Sequence, residues 1–319
     1  MDNVPTEPEE LFEYLHENEL SDGLPVIPPT DERVADMLAR VDRPGDELLL
    51  EIPTSFNELT VESLASCAVM AGCRPDYFPA VLAAFDGLAE WPNLRAVMAT
   101  TSGFCPAVIL NGPVRDDLDV NCGTGLFGPG YRANATIGRA VSLAFITVGR
   151  VYPGTGTKAT HAHPGRYTYC FGEFEEHSPW DPLHTDTADL DPGTSAVTVY
   201  PAHSPHLLDE GIGPDPDDED ILEGLAHGAT ESAMGPSTMP GQMLFVLGQD
   251  HAGRLGRDYE KAEIQSYLYD NCRWGDDSPL LRSPADALVM VAGGIGNYSS
   301  VIHSMTAAGN DAATVPIPE

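Results

Sequence analysis

A chain of 319 residues with 49 Asp plus Glu against 16 Lys plus Arg has a formal net charge of −33. Groove binders of nucleic acid and proteins of anionic membrane surfaces need a basic footprint. Here the arginines are scattered among acids and Lys158 and Lys261 are the only lysines, which excludes both classes. Hydrophobic residues make up 42% and aromatic residues 8% of the chain. That is enough to bury a core, so the acidity marks a solvated surface and not disorder.

A carboxylate excess with almost no lysine resembles the proteins of salt-in halophilic archaea. In about 1 M salt the screening length is about 3 Å, and self-repulsion is largely cancelled. The start, MDNVPTEPEELFEYL, has no basic n-region or apolar h-region, and no apolar run reaches the roughly 18 to 20 residues of a membrane span. A cytoplasmic protein is expected. The six cysteines, Cys67, Cys73, Cys105, Cys122, Cys170 and Cys272, contain no C-x-x-C pair, so reduced core thiols are expected in place of a disulfide framework or structural zinc.

In chain order, residues 8–20 place Leu11, Phe12, Leu15 and Leu20 at helical spacing, an amphipathic arm over residues 1–21. LPVIPPT is extended, and Thr30 caps DERVADML, which has acids in its first turn. LLLEIP is a short strand, Thr60 caps VESLASCAVMAG, and Pro75 opens the helix DYFPAVLAAFDGLA, with Pro79 still near that end. RAVMATT and PAVILNG are continuous apolar runs of strand length, as in a sheet covered on both faces. YRANATIGRAVSLAFITVG is a mostly buried helix. RYTYCFGEF and SAVTVYP are β-rich, EDILEGLAHGATESAM is helical, MLFVLG is a buried strand, EKAEIQSYLYDNC is helical, and ALVMVAGG is a buried strand leading into IGNYSSVIHSM. This alternation predicts an α/β fold with a mixed or largely parallel sheet covered by helices. No period of 20 to 50 residues repeats. Residues 22–319 form one α/β domain or two lobes meeting near 156–220, and the acidic tract at 211–220 is the expected surface loop or lobe boundary.

The densest reactive cluster is HAHPGRYTYCFGEFEEHSPWDPLH, residues 161–184, with four of the ten histidines and three glutamates beside Trp180 and Cys170. With residues 166–174 extended, Glu173 and Glu175 face one way and Phe174 and Glu176 the other. SPWDPLH then turns back and brings His184 towards them. Glu173, Glu176 and His184 are the candidate catalytic groups. Together with His163 they suit either a divalent metal with an open position or acid and base work without metal. Against this stands the reading of loop histidines beside an acidic surface.

A second feature is NCGTGLFGPGYRANATIGRA, residues 121–140. Gly123, Gly125 and Gly128 spell G-x-G-x-x-G, but no strand immediately precedes them and no acid follows at the ribose spacing, so no nicotinamide or flavin site is expected. A glycine-rich loop opening onto a helix still offers backbone N–H groups, and Arg132 adds a cationic fork. Gly128, Gly130, Arg132 and Asn134, with Trp180 and with Asn111 at a strand end, are the candidate substrate contacts. The alternative is a packing loop whose Arg132 pairs a surface acid. The turns after MLFVLG, with Asp250 and His251, and after ALVMV, with Gly293, Gly294, Gly296 and Asn297, are further pocket walls. Cys122, beside Arg132 and a helix start, is the better of two candidate thiols over Cys105, weighed against an inert buried thiol.

DGLPVIPPT, MAGCRPDYFP, NGP, GPGYRANATIGRA, EFEEHSPWDPLH and VAGGIGNYS together resemble a widespread prokaryotic, haloarchaeal-type family of chains of about this length. The resemblance implies association with small thiol or selenol proteins bearing a U/C-G-S-C motif, and hence redox or organosulfur chemistry. It extends to Glu173, Glu175, Glu176, Trp180 and His184, whereas family members commonly carry a small residue where this chain has His177. The expected function is acid/base chemistry of lyase or hydrolase type on a small anionic metabolite. The alternative is a subunit completing the active site of a small Cys or Sec partner, or a homo-oligomer.

Overall fold

The computed structural model describes residues 5, 7–208, 217–233, 240–275, 278–305 and 309–318. Its elements are α1 (Pro8–Glu17), α2 (Asp31–Leu38), β1 (Leu48–Ile52), β2 (Asn57–Thr60), α3 (Val61–Ala71), α4 (Phe78–Ala89), α5 (Leu94–Ala99), β3 (Cys105–Asn111), α6 (Val114–Asp117) and α7 (Arg132–Thr147). They continue with β4 (Cys170–Gly172), α8 (Leu183–Ala188), β5 (Ala196–Ala202), β6 (His206–Leu208), α9 (Asp218–Glu231), β7 (Met243–Leu247), α10 (Gln249–Leu255) and α11 (Lys261–Asn271). The ribbon β8 (Arg273–Trp274) and β9 (Ser278–Pro279), then β10 (Ala287–Val291), β11 (Ser299–His303) and β12 (Ala313–Pro316), complete the chain. Among the described residues no helix is long and apolar enough to cross a membrane.

The fold is α/β with two mixed four-stranded sheets, ordered β12-β5-β3-β4 and β10-β7-β11-β6. Of the apolar runs that read as buried strands, PAVILNG, MLFVLG and ALVMVAGG are covered on both faces. In β3, Val108 and Leu110 meet the helical side with α3, α4 and α7, while Cys105, Ala107 and Ile109 face the second sheet's Leu244, Val246, Leu288 and Met290. In β7, Met243, Phe245 and Leu247 pack outward on α9, α10 and α11. Alternation along each strand thus builds helix, sheet, sheet and helix layers. The arm helix α1 buries Leu11 and Leu15 in the first helical layer.

The two sheets are built alike. β3 runs through α7 to its parallel neighbour β4, and antiparallel β5 returns on the other side of β3. β7 runs through α10 and α11 to parallel β10, and β11 returns on the other side of β7. Each half then sends its last strand to the other's sheet: β6, after β5, pairs with β11, and β12, after β11, pairs with β5. Where β5 and β11 cross, the bonding is reciprocal: the His203 N–H donates to the His303 carbonyl at 2.9 Å and the Met305 N–H to the Pro201 carbonyl at 3.1 Å. The two halves thus share one strand connectivity and exchange their last strands.

Several sequence expectations need correction. RAVMATT is not a strand: α5 occupies Leu94–Ala99, its first turn capped by the Asn93 side chain, because Leu, Arg, Ala and Met favour a helix over the β-branched composition of a strand. RYTYCFGEF contributes only Cys170–Gly172, between 3-10 turns at Pro164–Arg166 and Glu175–His177. Helix α4 starts at Phe78 after a separate 3-10 turn over Pro75–Tyr77. Of the tract at 211–220, residues 211–216 lie outside the described residues, and Asp217 caps α9.

Candidate functional site

β3 and β4 are parallel neighbours, and their carboxyl ends bring Asn111 and Glu173 side by side. Continuing the inward alternation of Ile109 and Phe171, both side chains point into the end of the layer between the sheets, and both are fully buried. Asn111 Nδ2 donates to Glu173 Oε2 at 2.6 Å and to Glu175 Oε1 at 2.9 Å. The Leu183 N–H at the start of α8 adds a second bond to Glu173 Oε2 at 2.7 Å. Glu173 Oε1 and Asn111 Oδ1 have no hydrogen-bond partner among the described residues. Burial pushes the Glu173 carboxyl up to about 7, against the opposing pull of the Leu183 N–H, Lys261 and Asn111. It therefore carries a proton over much of the acid and neutral range.

The 3-10 turn after β4 overturns the strand alternation expected for the glutamates. Glu175 and Glu176 converge on one cation, Arg115 of α6, with Nη2 at 3.1 Å from Glu175 Oε2 and 2.9 Å from Glu176 Oε1. Arg115 also donates from Nη1 to the Glu173 carbonyl at 2.6 Å and from Nε to the Gly112 carbonyl at 2.9 Å. Its hydrogen bond holds the Glu176 carboxyl below the ordinary carboxylate range, so Glu176 stays ionised. Gly112 makes the sharp exit from β3 possible: at φ +77°, a Cβ there would sit 2.2 Å from the Thr194 carbonyl oxygen.

The remaining expected site residues lie elsewhere. His184 is buried on α8, next to Leu183, and donates from Nε2 to the Asp191 carbonyl at 3.1 Å; its Nδ1 is unpartnered among the described residues. His163 sits at the opposite end of β3, with Nε2 3.7 Å from Cys105 Sγ. Arg132 donates to the Gly72 carbonyl at 3.0 and 2.8 Å and does not reach the glutamates. Asn134 is occupied by both backbone groups of Asn121, and Gly128 and Gly130 lie in the exposed loop before α7. Trp180 donates from Nε1 to the Tyr259 carbonyl at 3.0 Å. The cation nearest Cys122 is Arg115, at 4.0 Å, and burial pushes that thiol up to about 11. All six cysteines are free and buried. Among the described residues no group of three or more His, Cys, Asp and Glu comes together to hold a metal, so the expected set of His163, Glu173, Glu176 and His184 does not form a metal centre.

Sequence reasoning missed Arg115 and the Leu183 N–H. The available signal was position: Arg115 follows Asn111-Gly-Pro-Val in the first turn beyond a buried strand, where α/β sheets place ligands. The second half supplies the opposite wall. The Phe174 N–H donates to the Val291 carbonyl at 2.7 Å, the Gly293 N–H to the Cys122 carbonyl at 2.8 Å, and Gln249 Nε2 to the Gly293 carbonyl at 2.8 Å. The chain matches no protein-family model and no curated protein.

Proposed function

We propose that the chain is an acid/base enzyme of lyase or hydrolase type acting on a small metabolite, with Glu173 as the group that gives and takes the proton. The observation that carries this reading is a fully buried carboxyl, pushed up to about 7, with one oxygen fixed by Asn111 and Leu183 and the other without a partner among the described residues. A base poised near the working pH transfers protons most effectively. Asn111 orients the carboxyl, and Arg115 holds the turn of Glu175 and Glu176 over it. Because Glu173 Oε1 is covered, substrate reaches it when that turn moves. Arg115 is already matched by two carboxylates, so the reacting end of the substrate is uncharged, and any anionic group on it points away from the glutamates.

A panel of substrate classes tests the assignment. Small hydroxy, thio and keto acids are incubated with the protein in deuterated buffer, and nuclear magnetic resonance follows deuterium entering C–H positions or new products. Wild type is expected to turn over at least one compound, and Glu173→Gln to lower that rate by about 10² to 10⁴ with unchanged circular dichroism. An undiminished rate in Glu173→Gln refutes the assignment.

A second reading, that the chain completes the active site of a small thiol or selenol partner, is favoured by Ile295 and Tyr298. They are 84% and 48% exposed on the glycine turn that walls the second side. Activity that appears only when such a partner is added supports it.

A further inference from the structure

The acids are unevenly placed. About one residue in six or seven of the chain is Asp or Glu, yet residues 120–172 contain none, while holding Arg132, Arg139, Arg150, Lys158, Arg166, His161 and His163. The end of this stretch folds against the start of β3 and the end of β5. There the Arg166 guanidinium, partly buried, donates from Nη2 to the Phe104 carbonyl at 2.6 Å and from Nη1 to Thr157 Oγ1 at 2.9 Å. Both acceptors are neutral. Arg43, Arg115 and Arg139, which are also partly or wholly buried, each grip a carboxylate. Arg166 meets none among the described residues, and a partly buried cation without a counter-charge is costly.

Imidazoles complete the corner. The rings of His163 and His203 are 5.7 Å apart, Tyr169 lies 5.8 Å from His163, and Phe104 lies 5.1 Å from His203. Burial holds both histidines below the ordinary imidazole range, His163 at about 4, and among the described residues no carboxylate acts on either. His163 accepts the Gly165 N–H at Nδ1, and its Nε2, 3.7 Å from Cys105 Sγ, carries the proton of the neutral ring towards the Gly103 carbonyl. Exposed Lys158 and His161 lie on the same loop. A surface this acidic repels anions nearly everywhere, and among the described residues no carboxylate pairs with the cation of this corner.

We propose that the corner formed by Arg166, His163 and His203 binds a small oxyanion, the phosphate or carboxylate group of a metabolite. The fork of Arg166 supplies the geometry, His203 supplies a ring N–H, both imidazoles supply flat walls, and the bound anion is the missing counter-charge. Cys105 and Asn111 bound the seven-residue β3, which at the usual rise places this site about 20 Å from Glu173. It is therefore a second site, distinct from the proton-transfer centre.

Isothermal titration of the full chain with inorganic phosphate, and separately with malonate, tests the proposal at fixed potassium chloride. Saturable binding of one anion per chain is expected for at least one of them, and the tighter of the two identifies the group. Arg166→Gln is expected to weaken it about tenfold or more, and Arg166→Lys to weaken it too, because charge without the fork is insufficient. His203→Gln, which leaves the Arg166 tethers intact, is expected to weaken it several-fold and decides the matter if the Arg166 variants do not fold. Arg132→Gln is expected to bind as wild type. No saturable binding of either anion, unchanged affinity in the folded Arg166 variants or in His203→Gln, or loss in Arg132→Gln overturns the proposal.

Discussion

Glu173 makes a stability prediction independent of turnover. Its folded value, about 7, lies above the ordinary 4.5, so over that window the folded chain holds more proton than the unfolded chain. Stability contributed by this group is complete below about 4.5 and declines as pH rises through 7. Glu173→Gln removes that decline, and urea midpoints at several pH values would show a flatter profile between 4.5 and 7. Half-buried His163 and buried His303 act in the opposite sense: desolvation holds each at about 4, below the ordinary 6.5. Their contribution is present above 6.5 and is lost as pH falls towards 4, so His303→Gln should resist acid better than wild type. At Arg115, only 4% exposed, substitution by Met leaves Glu175 and Glu176 without their cation, and about 3 to 5 kcal/mol of stability should be lost. Asn111 was legible because a buried strand ended at it, and Glu173 because it stood in a dense cluster of histidines and glutamates. Arg115 was not: a lone arginine ahead of Asp116 and Asp117 reads as a surface pair.

The elements show where sequence patterns suffice and where they fail. PAVIL, MLFVL and ALVMV announced strands covered on both faces, and Thr30 and Thr60 announced helix starts that they do cap. The similarity of the halves left no sequence period, because layered packing requires only apolar alternation and not repeated residues. The exchanged strands were hidden too. β6 and β12 have three and four residues, too few for a periodic pattern, and their partners are far away in sequence. Yet β12 closes the edge of β5, where Thr314 Oγ1 lies 2.7 Å from Thr198 Oγ1 and 2.6 Å from Thr187 Oγ1. A chain ending at Asp311 leaves that edge open to pairing with other chains. It is expected to unfold at lower urea and to elute as aggregates in size-exclusion chromatography; monomeric elution with an unchanged midpoint would show that the exchange adds nothing to closure.

At the scale of the whole molecule, the charge of −33 and the layered core act against each other. Four layers of elements bury the apolar runs, while most carboxylates face solvent and repel one another. Raising potassium chloride from about 0.1 M to about 1 M shortens the screening length from about 10 Å to about 3 Å, which removes most of that repulsion without altering a packed contact. The same salt weakens exposed ion pairs such as Arg40 with Asp76, but pairs of that kind contribute at most about 1 kcal/mol each. Repulsion therefore dominates the salt response, and the melting temperature should climb steadily over this range. Buried Arg115 with its glutamates is little screened, so Arg115→Met should lose the same increment at both salt concentrations. A melting temperature that stays flat or falls with salt would mean that the carboxylates are already neutralised within the fold, contrary to the exposed positions most of them occupy.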